Sequence, residues 1–435
     1  MSNLDIGLIG IAAAFVLVLI RMPIGIALAG VSFCGLWAMT SGAGAFGLLR
    51  SVPYQFVANW SFSAIPMFLL MGFIASHSGL SSGLFRLARL LLFRVPGGLA
   101  CSSVGACAFF AAASGSSVAT AAGMGRIAIP EMRKAGYDYG LAAGSVAAAG
   151  TLGSLIPPSI LMVIYGIFTE ASISKLFMAG FVPGLMTAVF FILMIVIRVW
   201  LKPSLAPAST ERPTRAELKE AVLDAWPLPL LILGVMGGIY GGVMTPTEAG
   251  AVGAALAAVI AVLRGSLSFG RLLAALRETL SGTSRIFVVA LGASMFTSFM
   301  ALAGLPAKIS EIVLSLGSSP LMIILMISVI YLILGMFIES LGIMLLTLPL
   351  LLPLINGADI NLIWFGVLTI KLLEIGLITP PFGMNVFVIK TMVPSGIGLP
   401  TIFKGVAWFI AVEVLILALL ILFPQISLFL PEVLG

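Results

Sequence analysis

Ser114-Gly115-Ser116-Ser117, then Ile129-Pro130, then Gly153-Ser154-Leu155-Ile156-Pro157-Pro158-Ser159 form one stretch; Glu339-Ser340, then Leu352-Pro353, then Gly376-Leu377-Ile378-Thr379-Pro380-Pro381-Phe382 form a second. Ser117 and Ser340, Pro130 and Pro353, Gly153 and Gly376, and Pro157 and Pro380 are each 223 residues apart. Punctuating residues that keep one offset through so long a run indicate an internal duplication. Pro23 and Pro246 share that offset, and Ser78-Gly79-Leu80 answers Ala303-Gly304-Leu305 at 225.

The surrounding chain is too apolar for water. Of 435 residues, 61% are hydrophobic and 9% charged, with a mean hydropathy of +1.22. Stretches of about 20 apolar residues recur between turn signals, which is the length a helix needs to cross a bilayer. The Leu, Ala, Ile and Val runs do not alternate as barrel strands would. The expected class is an all-α polytopic membrane protein. Its net charge of +6 therefore bears on topology, and no nucleic-acid partner is expected. Cys34, Cys101 and Cys107 have no CxxC spacing or adjacent His and read as small buried hydrophobes. Asp5 precedes the first apolar run with no Lys or Arg before it, as expected of a retained first helix rather than a cleaved leader.

Spans are expected at 4–20, 23–40 and 54–77, with a surface helix at 80–95 carrying Arg86, Arg89 and Arg94. The serine cluster then splits the apolar segment 98–130 into limbs of about 15 residues, or about 22 Å, short of the roughly 30 Å hydrocarbon core. That predicts a re-entrant hairpin with its tip at mid-membrane. Pro157-Pro158 removes backbone donors inside 139–170, so this span is read as two half-helices. A span at 176–199 leads into a polar linker, Lys202–Asp224, with a short helix from Arg215 to Ala225. The second half follows the same plan: spans at 226–244 and 246–263, a surface stretch at 266–280, a span at 284–303, an amphipathic piece near Lys308 and Glu311, a hairpin at 320–356 with its tip at Glu339-Ser340, a span at 359–390 broken at Pro380-Pro381, and a last span at 398–423.

Threading these elements with the N-terminus outside puts the Arg and Lys residues overwhelmingly on the cytoplasmic side, Arg212 in the linker among them. Only Arg50, Lys175 and Lys308 remain outside, as the positive-inside rule requires. The halves are then inverted. Each contains one hairpin and one broken helix, and the two hairpin tips meet near the midplane.

Unwound backbone in hydrocarbon costs several kcal/mol per unsatisfied group, so paired inverted breaks point to a binding site. Half-helices ending at Gly153 to Ile156 and at Gly376 to Thr379 present carbonyls, which suit a hard cation such as sodium. Those starting at Pro157-Pro158-Ser159 and Pro380-Pro381-Phe382 present N–H groups, which suit an anion. Ser116, Ser159, Ser340 and Asn385 are the candidate substrate contacts. Ser114 and Ser117 offer hydroxyls to an ion, or else cap short helices. Glu339 occupies the place of Ser116; at mid-membrane a carboxylate costs roughly 2.5–3.5 kcal/mol or more, so it needs a cation, a proton or a Lys from another helix. Lys371 and Glu374, at i and i+3, read as a self-neutralising pair, with an ion or substrate role for Glu374 as the alternative. Asn385 bonds either substrate or backbone, Glu413 reads as a packing polar group, and His77 as interfacial.

The four motifs Ser114-Gly115-Ser116-Ser117-Val118-Ala119-Thr120, Gly150-Thr151-Leu152-Gly153 with Ile156-Pro157-Pro158-Ser159, Thr245-Pro246-Thr247-Glu248-Ala249, and Glu374 through Asn385 resemble the large membrane subunit of the tripartite ATP-independent periplasmic (TRAP) transporters, over essentially the whole chain. The resemblance implies a sodium-driven uptake system in the bacterial inner membrane, working by an elevator mechanism. Its partners would be a small four-helix membrane subunit and a soluble periplasmic binding protein that delivers an organic acid anion such as a dicarboxylate. It also implies two sites for co-transported sodium ions: Ser114, Ser117, Gly153, Ile156 and Pro158 in one, and Gly335, Glu339, Gly376, Thr379 and Met384 in the other. The domain division that follows is scaffold with a first arm at 1–97, transport elements at 98–172, scaffold with linker and second arm at 173–319, transport elements at 320–395, and a last scaffold helix at 396–435. A stand-alone inverted-repeat anion transporter is the alternative. An enzyme is not expected, because Ser116 has no His or Lys placed to activate it.

Overall fold

The computed structural model describes residues 1–207 and 213–435; residues 208–212, within the expected linker and including Arg212, lie outside the described residues. Among the described residues the chain is helical throughout, without strands, and eight helical stretches are long and apolar enough to cross a membrane.

The first half begins with α1 (Asn3–Leu19), α2 (Ile24–Met39), α3 (Gly42–Ala58) and α4 (Ala64–His77). Ser2 and Asp5 form a reciprocal capping box that starts α1. The expected span at 54–77 is two helices. Pro53 lies inside α3, and the break comes at Asn59, whose side chain accepts from the Ser61 N–H at 3.0 Å and starts a short 3-10 turn before α4. Cys34 corrects another expectation: Cys101 and Cys107 are buried, but Cys34 is exposed on the outer face of α2.

α5 (Ser82–Leu91) lies where a surface helix was expected, and Arg86 bonds Glu220 and Asp224 of the linker helix α11 (Arg215–Ala225). Between them come α6 (Gly98–Ser114), α7 (Ser117–Lys134), α8 (Tyr139–Leu155), α9 (Ile160–Thr169) and α10 (Ile173–Leu201). α8 is built almost entirely of Ala, Gly, Ser and Leu and every residue from Gly140 to Leu155 is buried, so neighbouring backbones can approach it closely.

The second half contains α12 (Pro227–Tyr240), α13 (Pro246–Leu263), α14 (Phe269–Ala303), α15 (Leu305–Ser315), α16 (Pro320–Gly335), α17 (Ser340–Gly357), α18 (Leu362–Ile378), α19 (Met384–Lys390), α20 (Leu399–Leu422) and α21 (Gln425–Leu434). α14 is one helix of 35 residues, where a surface stretch and a separate span were expected: Gly282-Thr283-Ser284-Arg285 is polar but holds no Pro, and the helix runs through it. α21 follows a turn at Pro424 and was not anticipated. α17 starts and ends 223 residues after α7, and α18 does the same relative to α8, so the offset read in the punctuation recurs in the element boundaries.

α7 and α6 pack on α8, α16 and α17 pack on α18, and α8 and α18 touch each other. α10 and α20 pack against α8 and α18 as well, the helices that the breaks interrupt.

Candidate functional site

Each hairpin tip rests on the break of its neighbouring helix. α6 ends at Gly115, which has a left-handed backbone (φ 60), a conformation that glycine adopts without penalty. Ser116 then caps α7, accepting from the Ala119 N–H at 3.4 Å. α8 ends at Ile156, the pair Pro157-Pro158 follows with a cis bond, and Ser159 caps α9 by accepting from Met162 N–H. The Gly115 carbonyl accepts from the Ile160 N–H at 3.1 Å, which ties the tip to the break. Ser114 and Thr120 share a hydroxyl–hydroxyl bond of 2.6 Å; Ser117 donates to the Thr151 carbonyl at 3.1 Å and bonds the Ser154 hydroxyl. Gly153 faces this tip so closely that an added Cβ would lie 2.6 Å from the Ser116 backbone and 2.7 Å from Thr120 Oγ1.

The structure thus brings Ser114, Ser117, Gly153, Ile156 and Pro158 into one buried cluster. Ser116 and Ser159, named as candidate substrate contacts, act as helix caps, the role raised as the alternative for Ser114 and Ser117. Thr120, Thr151 and Ser154 belong to the cluster too and were not singled out. Their signal was available: Thr120 lies one helical turn beyond Ser117, and Thr151 and Ser154 flank Gly153.

The second tip is more open. α16 ends at Gly335, and its backbone meets α18 directly: a Cβ on Gly376 would stand 2.8 Å from Gly335 Cα. Ser340 donates to the Leu373 carbonyl at 3.5 Å. Glu339 sits at the N-cap position of α17 but makes no capping bond. Its side chain is exposed, and among the described residues no Lys or Arg stands within ion-pair distance. Arg285 on α14 reaches it through its field alone. The Thr379 hydroxyl donates back to Ile375, Pro380-Pro381 is again cis, and Gly383 (φ 45) leads into α19. Met384, at the start of α19, is 38% exposed. Phe382 at this break stacks edge-on to Phe337 at the tip, with ring centroids 6.1 Å apart.

Asn385 crosses between the halves, donating to the Ala147 carbonyl of α8 at 3.1 Å; its Oδ1 is buried without a partner. One N–H of its amide therefore serves packing, and its amide oxygen is free.

Next to the breaks lies a wholly buried charge cluster. Lys371 Nζ donates to Thr187 Oγ1 of α10 at 2.9 Å and to Glu374 Oε2 at 3.3 Å, and it pairs with Glu413 Oε2 of α20. The expected two-membered pair is therefore a cluster with two acids and one base. Glu413 lies 42 residues beyond Lys371, and no local pattern marks it as the partner. Glu374 Oε1 and Glu413 Oε1 have no hydrogen-bond donor. His77 lies 3.2 Å from Glu278 at the end of α4.

A multi-span helical protein in which two hairpin tips rest on two helix breaks, with an unpaired carboxylate at one tip, has the architecture of a membrane transporter. The chain belongs to the tripartite ATP-independent periplasmic transporter family, DctM component, whose family pattern matches residues 11–426. It is 37% identical over 378 residues to the C4-dicarboxylate TRAP transporter large permease protein DctM of Pseudomonas aeruginosa, covering 87% of each chain. To the sialic acid TRAP transporter large permease protein SiaM of Vibrio cholerae it is 34% identical, over 86% of this chain and 87% of the other. The fold is similar to that of Neisseria gonorrhoeae MtrF, with a TM-score of 0.61 at 16% identity over 91% of this chain and 86% of that one.

Proposed function

We propose that this chain is the large permease of a sodium-coupled uptake system for an organic acid anion. Substrate reaches it from a periplasmic binding protein, and a small membrane subunit enlarges the scaffold. The observation that carries this reading is the pairing of two hairpin tips with two helix breaks at one offset, where the second tip holds Glu339 without a cationic side chain. Sodium supplies the missing positive charge there, coordinated by Glu339, the backbone carbonyls near Gly335 and Gly376, and Thr379. The first ion sits among Ser114, Ser117 and the carbonyls of Gly153 and Ile156. The anion binds between the breaks near Ser116, Ser159, Ser340 and Asn385, where the free Oδ1 of Asn385 accepts from a substrate hydroxyl or an ordered water. C4-dicarboxylates and sialic acids, the substrates in the relatives' names, both carry carboxylates, which supports an acid as cargo.

The charge distribution supports an inner-membrane chain with its N-terminus in the periplasm and with inverted halves. In the elevator movement, 98–172 and 320–395 travel against the scaffold. The bonds from Lys371 to Thr187 and Glu413 argue that α10 and α20, which the sequence division at 173–319 and 396–435 counted as scaffold, travel with the transport elements instead, because breaking a buried ion pair at every cycle would cost about 3–5 kcal/mol.

Reconstitution of the complex in vesicles tests the reading. Uptake should require both an inward sodium gradient and the binding protein. Uptake without sodium would overturn the coupling, and uptake of free substrate without the binding protein would favour a stand-alone transporter.

A further inference from the structure

One feature plays no part in the transport site. Between α10 and α20, lined by no residue of either break, lies a groove of about 530 Å³. Its walls are apolar, with Leu193 and Ile197 on α10 and Val412 and Leu415 on α20. At one end stand Arg198 and Trp408, the guanidinium 5.4 Å from the centre of the indole ring. Arg198 makes no hydrogen bond or ion pair among the described residues, and its Nη1 is buried without a partner. Asp138, the acid whose field reaches it, accepts from the Leu141 N–H as the N-cap of α8 and is not within ion-pair distance. Lys202 stands one turn beyond Arg198 at the same end of the groove, and Lys404, one turn before Trp408 on α20, is exposed. Any membrane-facing helix pair meets acyl chains. What is unusual here is an unpaired guanidinium, oriented by an aromatic ring, at the head of an apolar channel.

A buried arginine nitrogen without an acceptor is costly. The acceptor must be anionic to match three positive side chains, and it must be joined to an apolar tail to use the groove. A membrane phospholipid with a net negative headgroup meets both conditions. We propose that the α10–α20 groove binds an anionic glycerophospholipid, with its phosphate on Arg198, flanked by Lys202 and Lys404, and an acyl chain between the two helices.

The test is native mass spectrometry of the purified complex offered phosphatidylglycerol or phosphatidylcholine with identical acyl chains. Both headgroups carry the phosphate that Arg198 would bind, but only phosphatidylcholine brings a quaternary ammonium against Arg198, Lys202 and Lys404; at about 1 kcal/mol per cationic side chain, the net charge predicts roughly five- to 150-fold greater retention of phosphatidylglycerol. Arg198→Gln should lower retention of both lipids and cut the preference for phosphatidylglycerol severalfold, and Lys202→Gln, an exposed change that leaves packing intact, should reduce the preference. Val412→Trp, which fills the groove, should lower retention of both. Glycerol phosphate, a headgroup without tails, should not displace the bound lipid. Equal retention of the two lipids by the unaltered complex would overturn the proposal, as would an undiminished preference in Arg198→Gln. Displacement by glycerol phosphate would reassign the site to a free phosphate and would equally overturn it.

Discussion

Gly376→Ala probes the contact on which the second ion site is built. The added Cβ would lie 2.8 Å from Gly335 Cα and 3.0 Å from its carbonyl oxygen. These are backbone atoms and cannot rotate away, so α16 and α18 must separate. Overpacking of this kind costs about 1–3 kcal/mol. The same carbonyls are assigned to the ion, so the separation falls on the sodium-bound geometry, and a loss of that size weakens sodium binding roughly 5- to 150-fold. The assay is the sodium concentration giving half-maximal uptake by reconstituted complex, with Gly30→Ala as the control. An added Cβ on Gly30 meets nothing within 4 Å, and replacing a helical glycine by alanine favours the helix by up to about 1 kcal/mol. Sodium dependence and thermal stability of Gly376→Ala equal to those of the control would refute the placement of the ion between these two glycines.

Further perturbations bear on other parts of the structure. Lys371→Met strands two fully buried carboxylates and should destabilise the chain by about 3–5 kcal/mol, read as a large fall in melting temperature; Glu413→Gln removes the surplus acid, leaves the pair with Glu374 and should cost much less. Equal losses from the two changes would contradict the charge count of the cluster. Thr245→Ala removes the cap that accepts from the Glu248 N–H at 3.3 Å and should cost about 1 kcal/mol, with Thr245→Ser restoring it; a stability unchanged by the alanine would show that the start of α13 is held by packing alone. Ser114→Ala breaks the 2.6 Å bond to Thr120 and should lower sodium affinity with little change in substrate delivery, which a titration of uptake against sodium and against loaded binding protein would separate.

The hairpins and breaks were legible because each is marked by residues with a backbone consequence. Pro157-Pro158 and Pro380-Pro381 cannot continue a helix, Gly115 takes a left-handed turn, and Ser116 and Ser159 restart helices as caps, so α7, α8, α17 and α18 lie close to where spacing put them. Two misjudged boundaries have the opposite cause. The span expected from 54 begins inside α3, because Pro53 is tolerated within that helix, and the polar run in α14 between the expected surface stretch and span contains nothing that breaks a helix. The site was partly legible for the same reason: residues on the breaks could be named, whereas partners that come together only by tertiary packing could not. Glu413 reaching Lys371, Asn385 reaching Ala147 and Phe382 meeting Phe337 leave no periodic trace in the chain. Gly335 lay outside the four quoted motifs and was named by position alone; its contact with Gly376 supplies the physical reason for a glycine at each place.

The central claim is that the second tip holds a sodium ion through Glu339. The most direct measurement is uptake of the binding-protein-delivered substrate by reconstituted complex as external sodium is varied, for the unaltered chain and for Glu339→Gln. Sodium bound at both sites predicts a cooperative dependence in the unaltered chain, and in the variant a loss of that cooperativity with much weaker uptake at any sodium concentration. Uptake that ignores sodium in the unaltered chain, or a variant whose sodium curve matches it, would contradict the claim.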